Sequence, residues 1–165
     1  MTQWRAMEAD IRMQPVAYVH CTRVDLEDDY WGRSEARIVL EPHLPEESLA
    51  GIETFSHAEI VFHLGRVDPD KVVTGARHPR GVQEWPAVGI FAQRAKGRPN
   101  RIGSTIVSIL GRSGRELRVA ELDAVDGTAV LDIKPVMAEF LPRGPIRQPA
   151  WTHELMRLYW EPEKS

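Results

Sequence analysis

The sequence is poor in the features that mark several large classes of protein. It has one cysteine, Cys21, in 165 residues, so a disulfide within the chain is excluded and a cysteine-based zinc site is not expected. No apolar run approaches the ~20 residues that a membrane-spanning helix needs. The N-terminus carries Glu8 and Asp10 and lacks the continuous apolar segment of a secretory signal. We therefore predict a cytoplasmic protein without a membrane segment.

An overall positive charge is also missing. The formal net charge is -3, which argues against a dedicated nucleic-acid binder. The basic residues are unevenly distributed, however, and residues 94–118 carry a local charge of +6, with Glu116 as the single acid. We expect one face to attract phosphates. The cations of this segment are Arg94, Lys96, Arg98, Arg101, Arg112, Arg115 and Arg118.

Short apolar runs separated by turn residues dominate the chain, and its length suits one domain. The pattern predicts a mainly β fold, either an antiparallel or mixed barrel or a strongly curved sheet, with few short helices. The predicted division is a flexible arm (1–13), a β domain (14–136) and an extension (137–165) with an amphipathic helix. Strands are predicted at 15–21, 36–40, 58–64, 88–92, 106–110, 117–122 and 128–133, with a hairpin turn at 111–114 and helices at 45–49 and 151–160.

The segment Gly89–Ser104 reads GIFAQRAKGRPNRIGS and changes from an apolar run to a cationic, turn-forming loop. Guanidinium groups on a backbone-permissive loop between strands suit an anionic ligand. A solvated hairpin tip with incidental arginines is the alternative. Tyr30 and Trp31 are candidates for the aromatic wall of a pocket, and a packing role is equally open.

Two familiar kinds of site are not expected from these residues. His57 and His63 lack a third well-spaced ligand, so we predict no metal site. The chain also lacks a strand, a GxGxxG turn and a helix in succession, so no dinucleotide-binding unit is predicted. The long segment Val67–Pro86 is rich in breakers and is predicted to be irregular.

Three blocks together resemble a known family. They are GIFAQRAKGRPNRIGS, then LDAVDGTAVLDIKP at 122–135, and LAGIETFSH at 49–57. In their order along the chain, 49–57, 89–104 and 122–135, they are similar to the signatures of the TsaA-like (YaeB/TrmO-type) family of S-adenosylmethionine-dependent tRNA N6-methyltransferases. The resemblance implies a single-sheeted β-barrel, S-adenosylmethionine as cofactor, tRNA as partner and a homodimer that binds the cofactor near its interface.

Carried onto this sequence, the resemblance places cofactor contacts on one set of residues and substrate contacts on another. The cofactor set comprises Arg94, Gly103, Ser104, Leu122 and Asp123, with a weaker transfer at His63, Leu64 and Gly65. The substrate set comprises Arg98, Asn100, Arg101 and Lys134, which would face RNA phosphate or the anionic modification. For Lys134, an ion pair with Asp132 is the alternative.

Methyl transfer also needs a group that receives the nucleophile's proton, and a positioned carboxylate can serve. Asp126 is our candidate, with an Asx-turn cap before Gly127 as an equally weighted alternative. The sequence departs from the family pattern at Ala95, Lys96, Gly97, Arg101, Ala129 and Val136. The resemblance implies methyl transfer to N6 of a threonylcarbamoyladenosine-type nucleotide in tRNA, and these departures bear on the substrate more than on methyl transfer. A non-catalytic cofactor-binding module, and a methyltransferase for a small molecule or another RNA, remain open.

The last prediction is a homodimer. Trp151, Leu155, Leu158 and Tyr159 recur at helical spacing, and with Met156 and Trp160 they form more apolar surface than a terminal helix needs. Two-fold pairing would bury this stripe on both subunits. Folding of the segment back onto its own barrel is the alternative.

Overall fold

The structure, a computed structural model, describes residues 10–163, and most of the predicted arm at 1–13 lies outside the described residues. One α-helix, α1 (Ala150–Leu155), is present among them. The strands are β1 (Ala17–His20), β2 (Glu35–Leu40), β3 (His57–His63), β4 (Ala76–Arg77), β5 (Val88–Gly89), β6 (Ile102–Ser113), β7 (Glu116–Ala120) and β8 (Ala129–Pro135). Single turns of 3-10 helix lie at Glu46–Leu49, Ile52–Thr54, Pro69–Lys71, Pro79–Gly81, Ile90–Ala92, Pro99–Arg101 and Ala138–Phe140.

Six strands form a closed antiparallel barrel in the order β1-β2-β7-β6-β3-β8, and β8 pairs with β1 to complete it. The prediction of a mainly β barrel with few short helices is thus confirmed. Closure gives every barrel strand a neighbour on both sides, which reduces the strand edge available for edge-to-edge aggregation.

The barrel interior follows from the alternation of side chains along each strand. In β3, Ala58, Ile60 and Phe62 point inward and are at most 2% exposed, while the residues between them are more accessible. The corresponding residues of the other strands complete the core: Ala17, Val19, Ala36, Ile38, Leu40, Val107, Leu117, Val119 and Val130.

The β6–β7 hairpin was predicted, but its strands are longer than expected. Ser113 pairs with Glu116, so the turn consists of Gly114 and Arg115, and residues 111–113 belong to β6. Gly114 has φ 55°, a left-handed conformation that glycine adopts without steric cost. The prediction placed the turn too early because it read Gly111 as turn rather than strand; a register shift lies there between Ile109 and Gly111.

The connection between β3 and β6 contains more regular structure than the sequence suggested. Predicted as irregular, residues 67–86 include β4 and two 3-10 turns, and β4 pairs with β5 in a separate two-stranded sheet. Predicted as a strand, residues 88–92 form only the two-residue β5, followed by a 3-10 turn at Ile90–Ala92. Ile90 is buried in that turn, so an apolar run alone could not distinguish it from a strand.

The C-terminal segment packs against its own chain. Helix α1 ends at Leu155, earlier than the predicted 160, and the following residues turn toward residues 30–32. Backbone amides of Tyr30, Trp31 and Gly32 donate to carbonyls of residues 158, 159 and 161, at 2.8–3.1 Å. The stripe on which the homodimer prediction relies is therefore partly buried within one chain. No helix within residues 10–163 is long and apolar enough to cross a bilayer.

Candidate functional site

The barrel topology brings three long loops to one end. Because neighbouring strands are antiparallel, the loops 21–34, 64–101 and 121–128 all leave the same rim, which we call the loop end. Every predicted cofactor residue lies at or near this rim, as do Arg98, Asn100, Arg101 and Asp126.

Backbone strain is concentrated at the same end. The non-glycine residues with positive φ in the described chain are Tyr30, Arg33, Arg80, Asn100, Arg101 and Glu121, and all lie in these three loops. Left-handed backbone at non-glycine residues is uncommon and costs free energy, and it clusters at ligand sites and active sites. The strain therefore agrees with a functional loop end.

The carboxylate of Asp123 lies where the barrel interior reaches the loop end, a place that we call the barrel mouth. Its Oδ1 accepts a hydrogen bond from the hydroxyl of Thr105, an inward-facing residue of β6 that is 8% exposed. Its Oδ2 accepts a hydrogen bond from the Tyr159 hydroxyl of the C-terminal segment. Two hydroxyl donors therefore hold this carboxylate in one orientation.

Arg94 is anchored one residue before Thr105, the residue whose hydroxyl binds this carboxylate. Its Nη2 donates to the backbone oxygen of Ser104 at 2.5 Å, so the guanidinium is anchored on the first residues of β6. Its charge is close enough to Tyr159 to lower the pKa of that phenol, although burial and the Asp123 charge together raise this pKa far above its ordinary value. The structure thus brings Arg94, Ser104 and Asp123 into one cluster.

Tyr159 was not among the predicted site residues. Its spacing with Trp151 and Leu155 indicated a packing stripe, and no local motif connects it with Asp123, which lies 36 positions earlier. The sequence signal that could have found it is a hydroxyl on an otherwise apolar stripe, because a buried phenol requires a hydrogen-bond acceptor.

Gly103 is inside the barrel mouth, opposite Phe62 in the β3–β6 register. A Cβ at this position would lie 2.6 Å from the Phe62 ring. Phe62 is 2% exposed, so its ring has little room to move. Packing therefore explains the glycine, and its backbone remains available at the start of β6.

His63, Leu64 and Gly65 leave β3 beside the beginning of β6. The amide of Leu64 donates to the Arg101 carbonyl at 2.8 Å, which joins the two chain segments at the rim. Burial, with the nearby Arg101 charge, holds the pKa of His63 below its ordinary value. These residues thus border the cluster around Ser104 without contacting Asp123 in any hydrogen bond of the described structure.

The cations in residues 94–101 make hydrogen bonds and an ion pair that stabilise the loops at this end of the barrel. Arg98 donates to the Gln93 carbonyl and Arg101 to the Val67 carbonyl, both at 2.7 Å. Lys96 forms an ion pair with Asp28 at 2.9 Å. Asn100 and Arg101 are both left-handed, with φ 62° and 49°, which produces the sharp turn after Pro99. These contacts leave other guanidinium N–H groups of Arg98 and Arg101 for a ligand, since each group has five donors.

Asp126 stands in the β7–β8 loop, as predicted, and joins it to the neighbouring loop. Its Oδ1 accepts from the Cys21 amide at 3.0 Å, and its own amide donates to the Arg23 carbonyl at 2.8 Å. The side chain is exposed at the loop end. The described contact of this carboxylate joins two loops and is not the Asx turn before Gly127 that was considered as the alternative.

Lys134 is separated from the other candidates. It lies near the end of β8, where it pairs with Glu59, at the opposite end of the barrel from the loop rim. Its ammonium forms an ion pair with Asp132, which raises the pKa of the lysine. The ion pair with Asp132, which was the alternative role for Lys134, is therefore present in the structure.

The basic segment 94–118 does not form one face. Arg112 and Arg115 reach the opposite end of the barrel, where they donate to carbonyls of Glu46 and of Glu41 and Leu44. Strand β6 separates them from Arg101 by about 11 residues at about 3.3 Å each, or roughly 36 Å of extended chain. The expectation of a single phosphate-attracting face over this segment is therefore wrong, and only its first part lies at the loop end.

A cavity of about 310 Å³ opens beside Leu122 and Ala124. Tyr30 and Trp31 also line it, but Trp31 is only 5% exposed, so the packing alternative has support as well. The Arg23 guanidinium lies 3.5 Å from the centre of the Trp31 ring, so one face of the indole is already covered. The volume is at the lower end of the range for small-molecule sites. Arg94, Ser104 and Asp123 do not line this cavity, so Leu122 is the predicted cofactor residue that connects it with their cluster.

Metal-ligating side chains do not gather anywhere in residues 10–163. No group of three or more His, Cys, Asp or Glu side chains in that range is arranged to hold a metal ion. His57 instead shares a hydrogen bond of 2.7 Å with the Ser56 hydroxyl.

The fold and its loop end define a small closed β-barrel with a polar cluster and a cavity at one rim. The family model described as "tRNA-methyltransferase O N-terminal domain" matches residues 22–140. The chain belongs to this family.

Relatives agree with the family match. A "Probable S-adenosyl-L-methionine-binding protein" from Methanothermobacter thermautotrophicus is 35% identical over 78% of this chain and 91% of its own length. A protein of the same description from Archaeoglobus fulgidus is 41% identical over 54% of this chain and 23% of its own. The "tRNA (adenine(37)-N6)-methyltransferase" of Mus musculus is 36% identical over 58% of this chain and 22% of its own. The chain thus spans about a quarter or less of the latter two relatives.

A solved structure described as "Crystal structure of TrmO" has the same architecture. Its TM-score is 0.68 at 25% identity, over 84% of this chain and 63% of the other.

Proposed function

We propose that this protein binds S-adenosylmethionine at the loop end and transfers its methyl group to N6 of a threonylcarbamoyladenosine-type nucleotide in tRNA. The carrying observation is the cluster of Arg94, Ser104 and Asp123 at the barrel mouth. Support comes from family membership and from relatives described as S-adenosylmethionine-binding proteins and a tRNA methyltransferase.

The chemistry of the cluster fits the proposed cofactor. Asp123 can accept from the cofactor's ammonium or ribose hydroxyls, and Arg94 can pair with its carboxylate. Backbone groups near Gly103 and Ser104 and the side chain of Leu122 complete the proposed contacts. His63, Leu64 and Gly65 border this set from the end of β3.

When bound, S-adenosylmethionine supplies a methyl group on a sulfonium, which an attacking nitrogen takes by in-line displacement. The new N–C bond forms as the S–C bond breaks with its electron pair left on sulfur, and the nitrogen loses one proton. We assign Asp126 as the acceptor of that proton, because its carboxylate is exposed at the loop end, three residues after Asp123. The chain otherwise positions the reactants, which alone lowers the barrier substantially.

The RNA contacts proposed for this chain are Arg98, Asn100 and Arg101. Their loop is held rigid by its internal hydrogen bonds, so the remaining N–H groups are preorganised for phosphate or for the modification. Lys134 stays a predicted contact, but it would require an RNA long enough to reach the other end of the barrel. RNA affinity should fall with salt, by a slope of about -0.9 per neutralised phosphate on duplex and about -0.7 on single strands.

A homodimer and a cytoplasmic location complete the proposal. The dimer no longer has the C-terminal stripe as its strongest support, because Trp151 and Tyr159 contact Trp85 and Asp123 of the same chain. It follows from the resemblance alone. Sedimentation over a dilution series tests it, since a single species at 18.7 kDa would reject it.

The decisive experiment has two stages. Calorimetry with S-adenosylmethionine in excess chelator should show saturable binding, and labelled methyl transfer to bulk tRNA should follow. Asp126→Asn should keep cofactor binding and lose transfer by about 10²-fold or more. Glu47→Gln, a matched carboxylate-to-amide change at an exposed residue of the opposite end, should affect neither.

Each other outcome identifies an alternative. Absence of binding at millimolar cofactor overturns the proposal. Binding without transfer to any RNA favours the non-catalytic module. Methyl transfer to another acceptor, with no label appearing in tRNA, favours a small molecule or another RNA as the substrate.

A further inference from the structure

The C-terminal segment lies beyond the family match, which ends at residue 140, yet it reaches the candidate site. After β8 ends at the far rim, the chain returns along the barrel, and residues 158–161 pair with residues 30–32 at the loop end. We call residues 150–162 the C-terminal strap.

Several contacts hold the strap in place. Trp85 packs against Trp151 with ring centres 6.2 Å apart, and its indole N–H donates to Glu154 at 2.9 Å. At the other end, a Cβ on Gly32 would lie 2.0 Å from the Trp160 carbonyl oxygen, so the two backbones are in close contact. Contacts near both ends of the strap therefore fix it against the rest of the chain.

The strap presents one polar group to the site. The Tyr159 hydroxyl donates to Asp123 Oδ2, while Thr105 binds the other carboxylate oxygen. Trp160 packs edge-on against the Tyr159 ring at 5.0 Å, which limits the positions open to the phenol.

We propose that Tyr159 is a positioning residue, through which the C-terminal strap holds Asp123 in the orientation that binds the cofactor. This inference rests on the proposed function, because it assigns Asp123 to the S-adenosylmethionine site. Two hydroxyls fix the orientation of this carboxylate before a ligand binds. Binding therefore costs less free energy for ordering the Asp123 side chain.

The first test is cofactor affinity by calorimetry, measured well below each variant's Tm. Tyr159→Phe should weaken S-adenosylmethionine binding by about tenfold, since a hydrogen bond to a charged group is lost. Tyr18→Phe removes a phenol hydroxyl that makes none of the described hydrogen bonds to Asp123, and it should leave the Kd unchanged. Equal Kd values for Tyr159→Phe and the wild type would overturn the inference.

A double-mutant cycle separates positioning from general loosening. In the Asp123→Asn background, Tyr159→Phe should change the Kd by less than about twofold, because the carboxylate it orients is gone. A tenfold effect in both backgrounds would show that Tyr159 acts independently of Asp123 and would refute the proposal.

Hydrogen exchange in the wild-type chain gives an answer even where Asp123→Asn abolishes binding. Saturating S-adenosylmethionine should slow exchange at the Trp31 and Gly32 amides, which donate to the strap. Cofactor binding without any change at these amides contradicts the inference and leaves the proposed function intact. A wild type that binds no cofactor instead contradicts the proposed function.

Discussion

Gly103→Ala tests whether the barrel mouth depends on the absence of a side chain. The added Cβ would lie 2.6 and 2.8 Å from two carbons of the Phe62 ring. Real Cβ contacts are not this short, so the ring or the β3–β6 pairing has to shift. Phe62 is 2% exposed and enclosed by the core, so no open space receives the ring.

The expected cost follows from core overpacking, which typically destabilises by about 1–3 kcal/mol. For a chain of this length that corresponds to a Tm lower by about 3–9 °C. Urea or thermal unfolding followed by circular dichroism measures it directly.

Two further variants make the result specific. At Gly89, where φ is -58° and nothing lies within 4 Å of the added Cβ, alanine should be neutral or stabilise by up to about 1 kcal/mol. Phe62→Leu combined with Gly103→Ala should cost less than the sum of the two single changes, because the smaller side chain vacates the space. A stable Gly103→Ala protein, or strictly additive costs, would refute the packing argument.

Two more predictions concern the loop end. Asn100→Gly should keep or slightly raise stability, whereas Asn100→Val should lose about 1–2 kcal/mol in urea unfolding, because φ is 62° there; equal stabilities would contradict this. The lowered pKa of His63 means that the unfolded chain binds its proton first as pH falls below about 6.5. Stability should therefore be unaffected above that pH and fall below it, by less in His63→Asn than in the wild type; identical pH profiles of the urea midpoint would exclude this contribution.

The local sequence was sufficient for the β class and for most strand positions. Alternation in segments such as Ala58–His63 directs one face inward in any sheet, so the core face of β3 could be assigned without a structure. The hairpin between β6 and β7 was also predictable, since Gly114 supplies the turn conformation. Apolar runs that form 3-10 turns, such as Ile90–Ala92, were not, because short runs carry no distinguishing period.

Resemblance placed Arg94, Ser104 and Asp123 in one site, and spacing alone did not. Their assembly depends on which loops share a rim, and that follows from strand order in the closed barrel rather than from distance along the chain. The same topology separates Lys134 and Arg115 from the cluster, although Arg115 belongs to the basic segment that the sequence suggested as one face.

The sequence by itself determined the alternation of buried and exposed residues along the strands, because this alternation depends on neighbours within a few residues. Only the tertiary structure decided that the Tyr159 hydroxyl meets Asp123, since that contact requires the strap to return from the far rim. It also decided that the C-terminal stripe packs within one chain. An apolar face specifies only that it will be covered, and the path of the chain determines what covers it.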